Sequence, residues 1–212
     1  MATGLLILAI NRGTKFSSLL LESHKTYAAE VTLGIQTDTD DAEGEHIHSR
    51  LITCNKEEAR QKLLSFLGSS MQQPPIYSAL KVQGKPMYKY AREGVKVEKA
   101  PRAIEIKTIE NISINLPKIS FEVSCSKGTY IRSIARDLGE LLDCGGHLSA
   151  LKRLTQQEFL VNDAKKIDEI TELDIIPLEQ AFNHLGSVNL PEEKIKKFIN
   201  GSAIDLGLSE SG

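Results

Sequence analysis

Three closely spaced carboxylates suggest the first chemistry that the sequence could perform. Asp38, Asp40 and Asp41 have the spacing with which a calcium-binding loop begins, and carboxylate oxygens suit calcium. The fifth and sixth positions of such a loop need a ligand and a glycine, but this sequence has Ala42 and Glu43 there. The pattern therefore does not predict a calcium site.

Histidines and cysteines do not predict a metal site either. His46 and His48 share one side of an extended segment, but two histidines without a third ligand are more often surface residues. Cys54, Cys125 and Cys144 are far apart and show no CxxC or Cys/His spacing, so we interpret them as reduced thiols. Nucleotide-binding glycine motifs, the GxSxG motif and the HExxH motif are also absent from the sequence. We expect neither a metal nor a cofactor.

One segment is basic although the chain as a whole has a formal net charge of −2. The overall charge argues weakly against a nucleic-acid partner, but a nucleic-acid interface needs only a local basic stripe. Between Tyr77 and Lys107 there are eight basic residues against three acidic ones. The eight are Lys81, Lys85, Lys89, Arg92, Lys96, Lys99, Arg102 and Lys107. This segment is either a solvated basic face or a surface for RNA phosphates.

The elements that would position these residues are a mixture of helices and strands. Strands are predicted over 25–33, 103–115 and 118–126, and helices over 14–22, 56–66, 86–92 and 130–142. Residues 72–84 contain Pro74-Pro75 and show no periodicity, so we interpret them as an irregular loop. Residues 147–161 are interpreted as a helical turn followed by a strand. This mixture predicts an α/β fold of the mixed α+β kind.

Composition and length indicate a globular protein. The 212 residues, 41% of them hydrophobic and 25% charged, are enough for one sizeable domain and part of a second. The longest apolar run near the start, residues 4–10, is too short to span a bilayer and lacks the basic region of a signal peptide. We expect a cytoplasmic protein with no membrane segment.

Four stretches resemble the TruB family of tRNA pseudouridine synthases, in the family's order. They are Ala2-Thr-Gly-Leu-Leu with Gly13-Thr-Lys15-Phe16, Lys25-Thr-Tyr27 with residues 34–44, Gln73-Pro-Pro-Ile-Tyr77-Ser78-Ala79-Leu-Lys81, and residues 125–154 around Gly128-Thr129-Tyr130-Ile131-Arg132. One such match would be weak, but four in register are highly specific. The resemblance implies the pseudouridine synthase fold, in which helices flank a central mixed, mostly antiparallel sheet. It also implies a catalytic domain over 1–186 with a basic thumb insertion at about 73–107, and the start of a C-terminal RNA-binding domain over 187–212.

The resemblance also implies a reaction and a partner. The family isomerises uridine to pseudouridine, usually at uridine 55 in the T-loop of tRNA. The bond from N1 of the base to C1′ of the sugar breaks, the base rotates, and it rejoins through C5; one carboxylate is needed, but no metal or cofactor. The base must be flipped out of its stack and held by aromatic stacking and hydrogen bonds. The expected partner is the T-arm of tRNA, bound by a monomer.

The resemblance implies catalytic roles for three residues. Tyr27 would stack on the flipped base and assist proton removal from C5. Arg132 would pair with the catalytic aspartate and keep it ionised, and Asp41 would belong to the same charge network. Without the resemblance they would be interpreted as a cross-strand aromatic residue, a solvated helix charge and a polar turn residue.

Substrate and RNA contacts are implied in the same way. Tyr130 and Leu151 would line the base pocket, and Lys15 would lie near the active site and meet backbone phosphate. Taken alone, the three would be a packed helix start, a core residue and a surface charge. Further RNA-binding residues are expected at Lys81, Lys85, Lys89, Arg92 and Arg153.

The sequence departs from the family at its first residue. The family places Gly-Leu-Asp-Pro and one more residue before Ala-Thr-Gly, and Met1 occupies the last of these positions. The nucleophilic aspartate is therefore expected two residues upstream of Met1, and the chain as given is expected to be N-terminally truncated and inactive. Two alternatives stay open: a non-catalytic tRNA-binding or tRNA-folding module that uses the same cleft, and an unrelated α/β enzyme.

Overall fold

The computed structural model of the protein describes residues 2–95, 97 and 99–205. Lys96 of the basic segment and the final residues of the predicted C-terminal domain lie outside the described residues. The chain divides into two units, one ending at Lys165 and the other beginning at Lys166. The sequence places its domain boundary later, after residue 186, and that boundary stays a prediction.

The first unit contains the strands and four of the helices described. Its strands are β1 (Ala2–Gly4), β2 (Lys25–Leu33), β3 (Ile35–Thr37), β4 (His46–Ser49), β5 (Gly68–Gln72), β6 (Lys81–Val82), β7 (Lys85–Pro86), β8 (Arg102–Asn115), β9 (Lys118–Cys125), β10 (Gly146–Gln156) and β11 (Phe159–Leu160). Its α-helices are α1 (Ser17–Glu22), α2 (Lys56–Leu64), α3 (Met87–Arg92) and α4 (Ile131–Leu141), and short 3-10 helices span Asn11–Phe16 and Val161–Asp163. The second unit contains α5 (Leu178–Ala181), α6 (Glu192–Ile199) and 3-10 turns at Ile167–Glu169, Glu172–Asp174 and Asn183–Leu185.

A central sheet has the strand order β1-β10-β2-β9-β8-β5, with β11 pairing with the end of β10. Adjacent strands of this sheet are antiparallel, except that β1 and β10 are parallel. Two hairpins, β3–β4 and β6–β7, lie outside this sheet. The predicted mixed α+β fold with a mostly antiparallel sheet is therefore confirmed.

The core lies between one face of the sheet and α4. Alternation in β2 buries Ala29, Val31 and Leu33 on this face, since successive side chains of a strand point to opposite sides. The helix α4 buries Ile134 and Leu138, which are one turn apart and fully inaccessible to solvent. Burying these apolar side chains is the main force that docks the helix on the sheet.

Glycine permits the close approach between the end of α4 and the start of β10. A Cβ at Gly139 would lie 2.2 Å from the carbonyl carbon of Gly145. The Gly139 carbonyl accepts hydrogen bonds from Cys144 N at 3.1 Å and Gly145 N at 2.9 Å. A larger residue at this position would push the helix away from the sheet.

One local expectation was wrong, and one strand was missed. The predicted helical turn at the start of 147–161 is part of β10, because its residues pair with β2 along nearly the whole strand. The strand β5 was not predicted, because its sequence Gly-Ser-Ser-Met-Gln has none of the β-branched residues that mark strands. The predicted helix over 56–66 is present as α2, and Asn55 caps it, since its side chain accepts a hydrogen bond from Glu58 N at 2.9 Å.

The described residues contain neither a membrane-spanning helix nor a cluster of metal ligands. No helix among residues 2–95, 97 and 99–205 has the length and apolar character needed to cross a membrane. In that part of the chain, no three His, Cys, Asp or Glu side chains gather as ligands for a metal ion.

Candidate active site

The turn between β3 and β4 is built around Asp41, which is buried. Its Oδ1 accepts hydrogen bonds from Thr39 Oγ1 at 2.7 Å and from Glu43 N at 3.1 Å. The Thr37 hydroxyl donates to the Asp41 carbonyl at 2.7 Å. The turn packs on the sheet edge, because Ala42 N donates to the Leu148 carbonyl at 3.0 Å. The acidic stretch therefore forms a hydrogen-bonded turn, in which the second carboxylate oxygen of Asp41, Oδ2, is left for a partner outside the turn.

That partner is Arg132, in the first turn of α4. Its Nη1 forms an ion pair with Asp41 Oδ2 at 3.0 Å and also donates to the Thr39 carbonyl at 3.1 Å. Its Nη2 donates to the Tyr77 carbonyl at 2.7 Å. Arg132 thus joins α4, the β3–β4 turn and the loop that leads to the basic segment.

A second arginine, one helical turn later, repeats this connection. Arg136 pairs with Asp40 Oδ2 at 3.2 Å and with Asp137 Oδ1 at 2.7 Å, and it donates to the Gln73 carbonyl at 3.1 Å. Burial raises the pKa of Asp40 to about 6, although Arg136 and Arg132 oppose that rise. Burial also raises the pKa of Asp137. The paired arginines and carboxylates form a largely buried network behind the cleft.

An open cleft of about 490 Å³ lies in front of this network. Its walls include Asp41 and Arg132 together with Tyr77, Tyr88, Arg92 and Tyr130. Tyr130 is fixed at the start of α4, because its backbone N donates a hydrogen bond to Gln72 Oε1 at 2.8 Å and its carbonyl accepts one from Gln72 Nε2 at 3.1 Å. Aromatic rings beside charged groups can stack on a planar base and bind its polar edges.

Tyr27 and Leu151 do not line this cleft and lie on the core face of the sheet. Tyr27 is half-buried on β2 directly opposite Arg153, and Leu151 on β10 lies opposite Ala29. Burial raises the pKa of Tyr27, Cys125 adds to that rise, and Arg153 opposes it. The structure therefore groups the predicted residues into two sets, one in the cleft and one on the adjoining sheet.

The strand β1 and the β3–β4 turn follow the same edge of β10. Ala2 pairs in parallel with Leu151, and Asp41 forms a parallel bridge with Leu148. The N-terminal end of β1 consequently points along β10 toward Asp41. Gly4 permits this pairing of β1 with β10. Its φ angle is +91°, which favours glycine, and a Cβ at this position would lie only 2.3 Å from the Arg153 carbonyl oxygen.

The basic residues predicted to contact RNA are distributed unevenly around the cleft. Arg92 lines it and stacks over the Tyr88 ring at 5.4 Å. Lys85 forms an ion pair with Glu93 and lies 4.5 Å from the centre of the Tyr90 ring. Lys81 and Lys89 are exposed on the same hairpin and helix. Lys15 is exposed on the 3-10 helix Asn11–Phe16 and does not line the cleft.

The sequence did not reveal several residues that build the site. Tyr77 and Tyr88 line the cleft, Gln72 holds Tyr130, and Arg136 pairs with Asp40. The four-residue spacing of Tyr88 and Arg92 on a predicted helix could have indicated their contact. The contacts of Gln72 and Arg136 join residues far apart in the chain, so no local sequence pattern predicts them.

Comparisons with known proteins give a consistent result. A family model described as TruB family pseudouridylate synthase (N terminal domain) matches residues 1–131. The tRNA pseudouridine synthase B of Alkaliphilus oremlandii (strain OhILAs) is 40% identical over 208 residues, which cover 96% of this chain and 70% of that protein. The tRNA pseudouridine synthase B of Clostridium kluyveri is 41% identical over 208 residues, covering 96% of this chain and 72% of that protein.

One solved structure shares the fold. A chain in the crystal structure of a Cbf5-Nop10-Gar1 complex aligns with a TM-score of 0.62 and 24% sequence identity. The alignment covers 86% of this chain and 50% of that chain. At this level of identity the likeness supports the architecture of the sheet and its helices.

Proposed function

The chain belongs to the TruB family of pseudouridylate synthases, and on that premise we propose that it isomerises a uridine in the T-loop of tRNA, at position 55, to pseudouridine. The observation that carries the proposal is the Arg132–Asp41 ion pair at 3.0 Å in a cleft lined by tyrosines. This pair joins two of the sequence stretches that resemble the family. A flipped base needs an aromatic surface and fixed polar groups, and the cleft offers both.

We propose that Arg132 organises the reacting carboxylate. Its two terminal nitrogens are held by Asp41 and by the carbonyls of Thr39 and Tyr77, so its position is fixed before RNA binds. A cation held in this way stabilises a nearby carboxylate in its ionised form, which is the form that can attack the sugar or base. Asp41 balances the positive charge of Arg132, and it is one of several residues that line the cleft.

The attacking carboxylate is proposed to come from the position two residues before Met1. By the register of β1 on β10, that position would lie near Leu148, at the level of Asp41. It would therefore reach the side of the cleft on which Arg132 lies. Tyr27 and Leu151, on the core face of β2 and β10, are proposed to contact the flipped base, with Tyr27 assisting removal of the C5 proton.

The basic hairpin and helix are proposed to grip the T-arm. Arg92 already lies in the cleft, and Lys81 and Lys89 are exposed beside it, where they can meet phosphates. Lys15 and the residues from 187 onward are proposed to contact RNA further from the reacting base. These contacts position the substrate without reading its sequence.

The test is pseudouridine formation in a T-arm stem-loop RNA by the 212-residue chain. The matched substrate control replaces the target uridine with cytidine. Binding of both RNAs without conversion of the uridine would agree with the assignment of the nucleophile upstream of Met1. Conversion by this chain would contradict that assignment, and Asp41→Asn would then be the next variant. Failure to bind either RNA would contradict the proposed function itself.

A further inference from the structure

Two residues mark the points at which the chain leaves the central sheet for the basic hairpin and helix and then returns to it. Gln72 is the last residue of β5, and Arg102 is the first residue of β8. The two are directly opposite each other in this antiparallel pair, so their side chains leave the same face of the sheet. Both side chains contact Tyr130, which lines the cleft.

Gln72 binds the backbone of Tyr130 with both ends of its amide. Its Oε1 accepts a hydrogen bond from Tyr130 N at 2.8 Å, and its Nε2 donates to the Tyr130 carbonyl at 3.1 Å. Gln72 is only 5% exposed. Tyr130 is the N-cap residue of α4, and the N–H groups at a helix start have no partner within the helix. The Tyr130 N–H therefore depends on Gln72 for its hydrogen bond.

Arg102 contacts the ring of the same tyrosine. Its guanidinium carbon lies 5.3 Å from the centre of the Tyr130 ring, which is within the range of a cation–π contact. Gly128 leaves room for the arginine, since a Cβ at that position would lie 3.0 Å from Arg102 Nη1 and 3.4 Å from its Cδ. Arg102 thus packs beside both the turn that precedes α4 and the Tyr130 ring.

We propose that Gln72 and Arg102 are positioning residues for Tyr130, in which Gln72 fixes the backbone and Arg102 fixes the ring before a uridine is flipped into the cleft. This inference rests on the proposed function, in which the tyrosines of the cleft form the aromatic surface for the base. A ring that is already ordered loses less conformational entropy when the RNA binds. The planar guanidinium suits this role because it can stack on an aromatic face.

A phosphate contact is the alternative role for Arg102, because Arg102 belongs to the basic segment. Arg102→Lys separates the two roles, since lysine keeps the charge that a phosphate needs but lacks the planar guanidinium. Removal of the ring separates them as well. A residue that acts through Tyr130 has no further effect once the ring is absent, whereas an independent phosphate contact keeps its full effect.

The first experiment measures Tyr130 in the free protein by NMR. Gln72→Met removes both hydrogen bonds with a side chain of similar size, and we expect the Tyr130 amide to exchange about tenfold faster relative to the amides of β9. Gln72→Glu keeps an acceptor for this amide and should retain more of the protection. Gln61→Met, at an exposed glutamine on α2, is the matched control and should leave the exchange of Tyr130 unchanged.

The ring of Tyr130 is followed in the same experiment by aromatic carbon relaxation. We expect a more mobile ring in both Arg102→Gln and Arg102→Lys than in the parent chain. An unchanged amide exchange rate in Gln72→Met, or an equally ordered ring in both Arg102 variants, would overturn the inference. These measurements need no RNA, so they decide the positioning roles even if the proposed function is wrong.

The second experiment measures the affinity for a T-arm stem-loop RNA in Tyr130→Ala, Arg102→Gln and the double variant. Loss of a ring that stacks on a base should weaken binding about tenfold. We expect the double variant to bind no more weakly than Tyr130→Ala, and Arg102→Lys to bind as weakly as Arg102→Gln. The control is Lys107→Gln, at an exposed basic residue further along β8, whose effect should multiply with that of Tyr130→Ala.

The outcomes of the RNA experiment separate the inference from the proposed function. Losses that multiply in the Tyr130→Ala/Arg102→Gln variant, with binding restored in Arg102→Lys, would overturn the positioning role and assign Arg102 to phosphate contact. Failure of the parent chain to bind the RNA would contradict the proposed function, while the NMR measurements would still decide whether Gln72 and Arg102 position Tyr130.

Discussion

Two regions border the same cleft, and they are held by different kinds of contact. The β3–β4 turn is fixed to α4 by buried ion pairs, in which the side chains of Asp40 and Asp41 are 10% and 12% exposed. The basic hairpin and α3, residues 81–92, are held by an exposed ion pair and by cations stacked on tyrosine rings. The first region, the clamp, presents charges in one geometry. The second region is the part of the expected thumb insertion over residues 81–92, called the thumb below, and its charges are mostly exposed.

This difference matches the roles proposed for the two regions. A group that stabilises a reacting carboxylate must be in place before the substrate arrives, because reorganisation during the reaction costs free energy. A group that meets phosphates needs only charge and reach. Substitutions in the clamp should therefore alter stability, whereas substitutions in the thumb should alter the salt dependence of binding.

The largest effect is expected from Arg132→Met. This change leaves the buried carboxylate of Asp41 without its cationic partner, and breaking a buried pair in this way costs about 3–5 kcal/mol. Urea unfolding would measure the loss. The double variant Arg132→Met/Asp41→Asn should recover much of it, and the absence of any recovery would show that the ion pair is not what holds the clamp.

The second-largest effect on stability is expected from Gly139→Ala, which tests how closely α4 must approach the sheet. The added Cβ would overlap the backbone of Gly145 and Gly146, and we expect a loss of about 3 kcal/mol. Thermal unfolding would measure it. Glu140→Ala, at the exposed neighbouring position, is the control and should change stability by less than about 0.5 kcal/mol.

The pH dependence of stability tests the clamp more finely. Because burial raises the pKa of Asp40 from its ordinary 3.8 to about 6, the folded protein keeps this proton where the unfolded chain has lost it. The stabilisation is fully present below pH 3.8 and is lost as the pH rises through about 6. We expect this loss to reach about 3 kcal/mol.

Asp40→Asn should remove most of this decline, which unfolding curves at a series of pH values would detect. Asp137, whose pKa burial also raises, should leave a smaller decline of the same sign. Asp163→Asn, at an exposed position, is the control and should decline like the parent chain. An equal decline in Asp40→Asn and the parent chain would contradict the assignment of the titration to Asp40.

The smallest effect on stability is expected in the thumb. Arg92→Gln should change the free energy of unfolding by less than about 0.5 kcal/mol, because Arg92 is exposed. It should reduce the log–log salt slope of T-arm binding by about 0.7–0.9, since one phosphate contact is lost. Lys56→Gln, an exposed lysine on α2, should leave the slope unchanged. A large loss of stability in Arg92→Gln would remove the distinction between clamp and thumb.

The sequence predicted the elements that have strong local patterns. The strand β2 follows its apolar alternation, and α4 follows its apolar stripe. Local patterns did not predict the clamp, because the Arg132–Asp41 bond joins residues 91 positions apart in the chain, and only the family resemblance implied a shared charge network. Aspartates in a Thr/Asp-rich stretch have no local feature that tells a buried network from a solvated turn.

The position of Arg153 could not be predicted for a similar reason. The RNA contact expected for Arg153 stays a prediction, but no local pattern could show that the strand pairing places this residue opposite Tyr27. Only the register of β10 on β2 decides which residues are opposite each other. A shift by one residue would have turned the arginine to the other face of the sheet.

The most direct test of the proposed function compares two N-terminally extended chains, one that adds Gly-Leu-Asp-Pro before Met1 and one that adds Gly-Leu-Asn-Pro. Pseudouridine formation in a T-arm stem-loop would be measured in a single turnover for both. We predict conversion by the aspartate chain alone, with equal RNA affinity for the two. Equal conversion by both chains, or none by either with RNA bound, would contradict a cleft organised by Arg132 around that carboxylate.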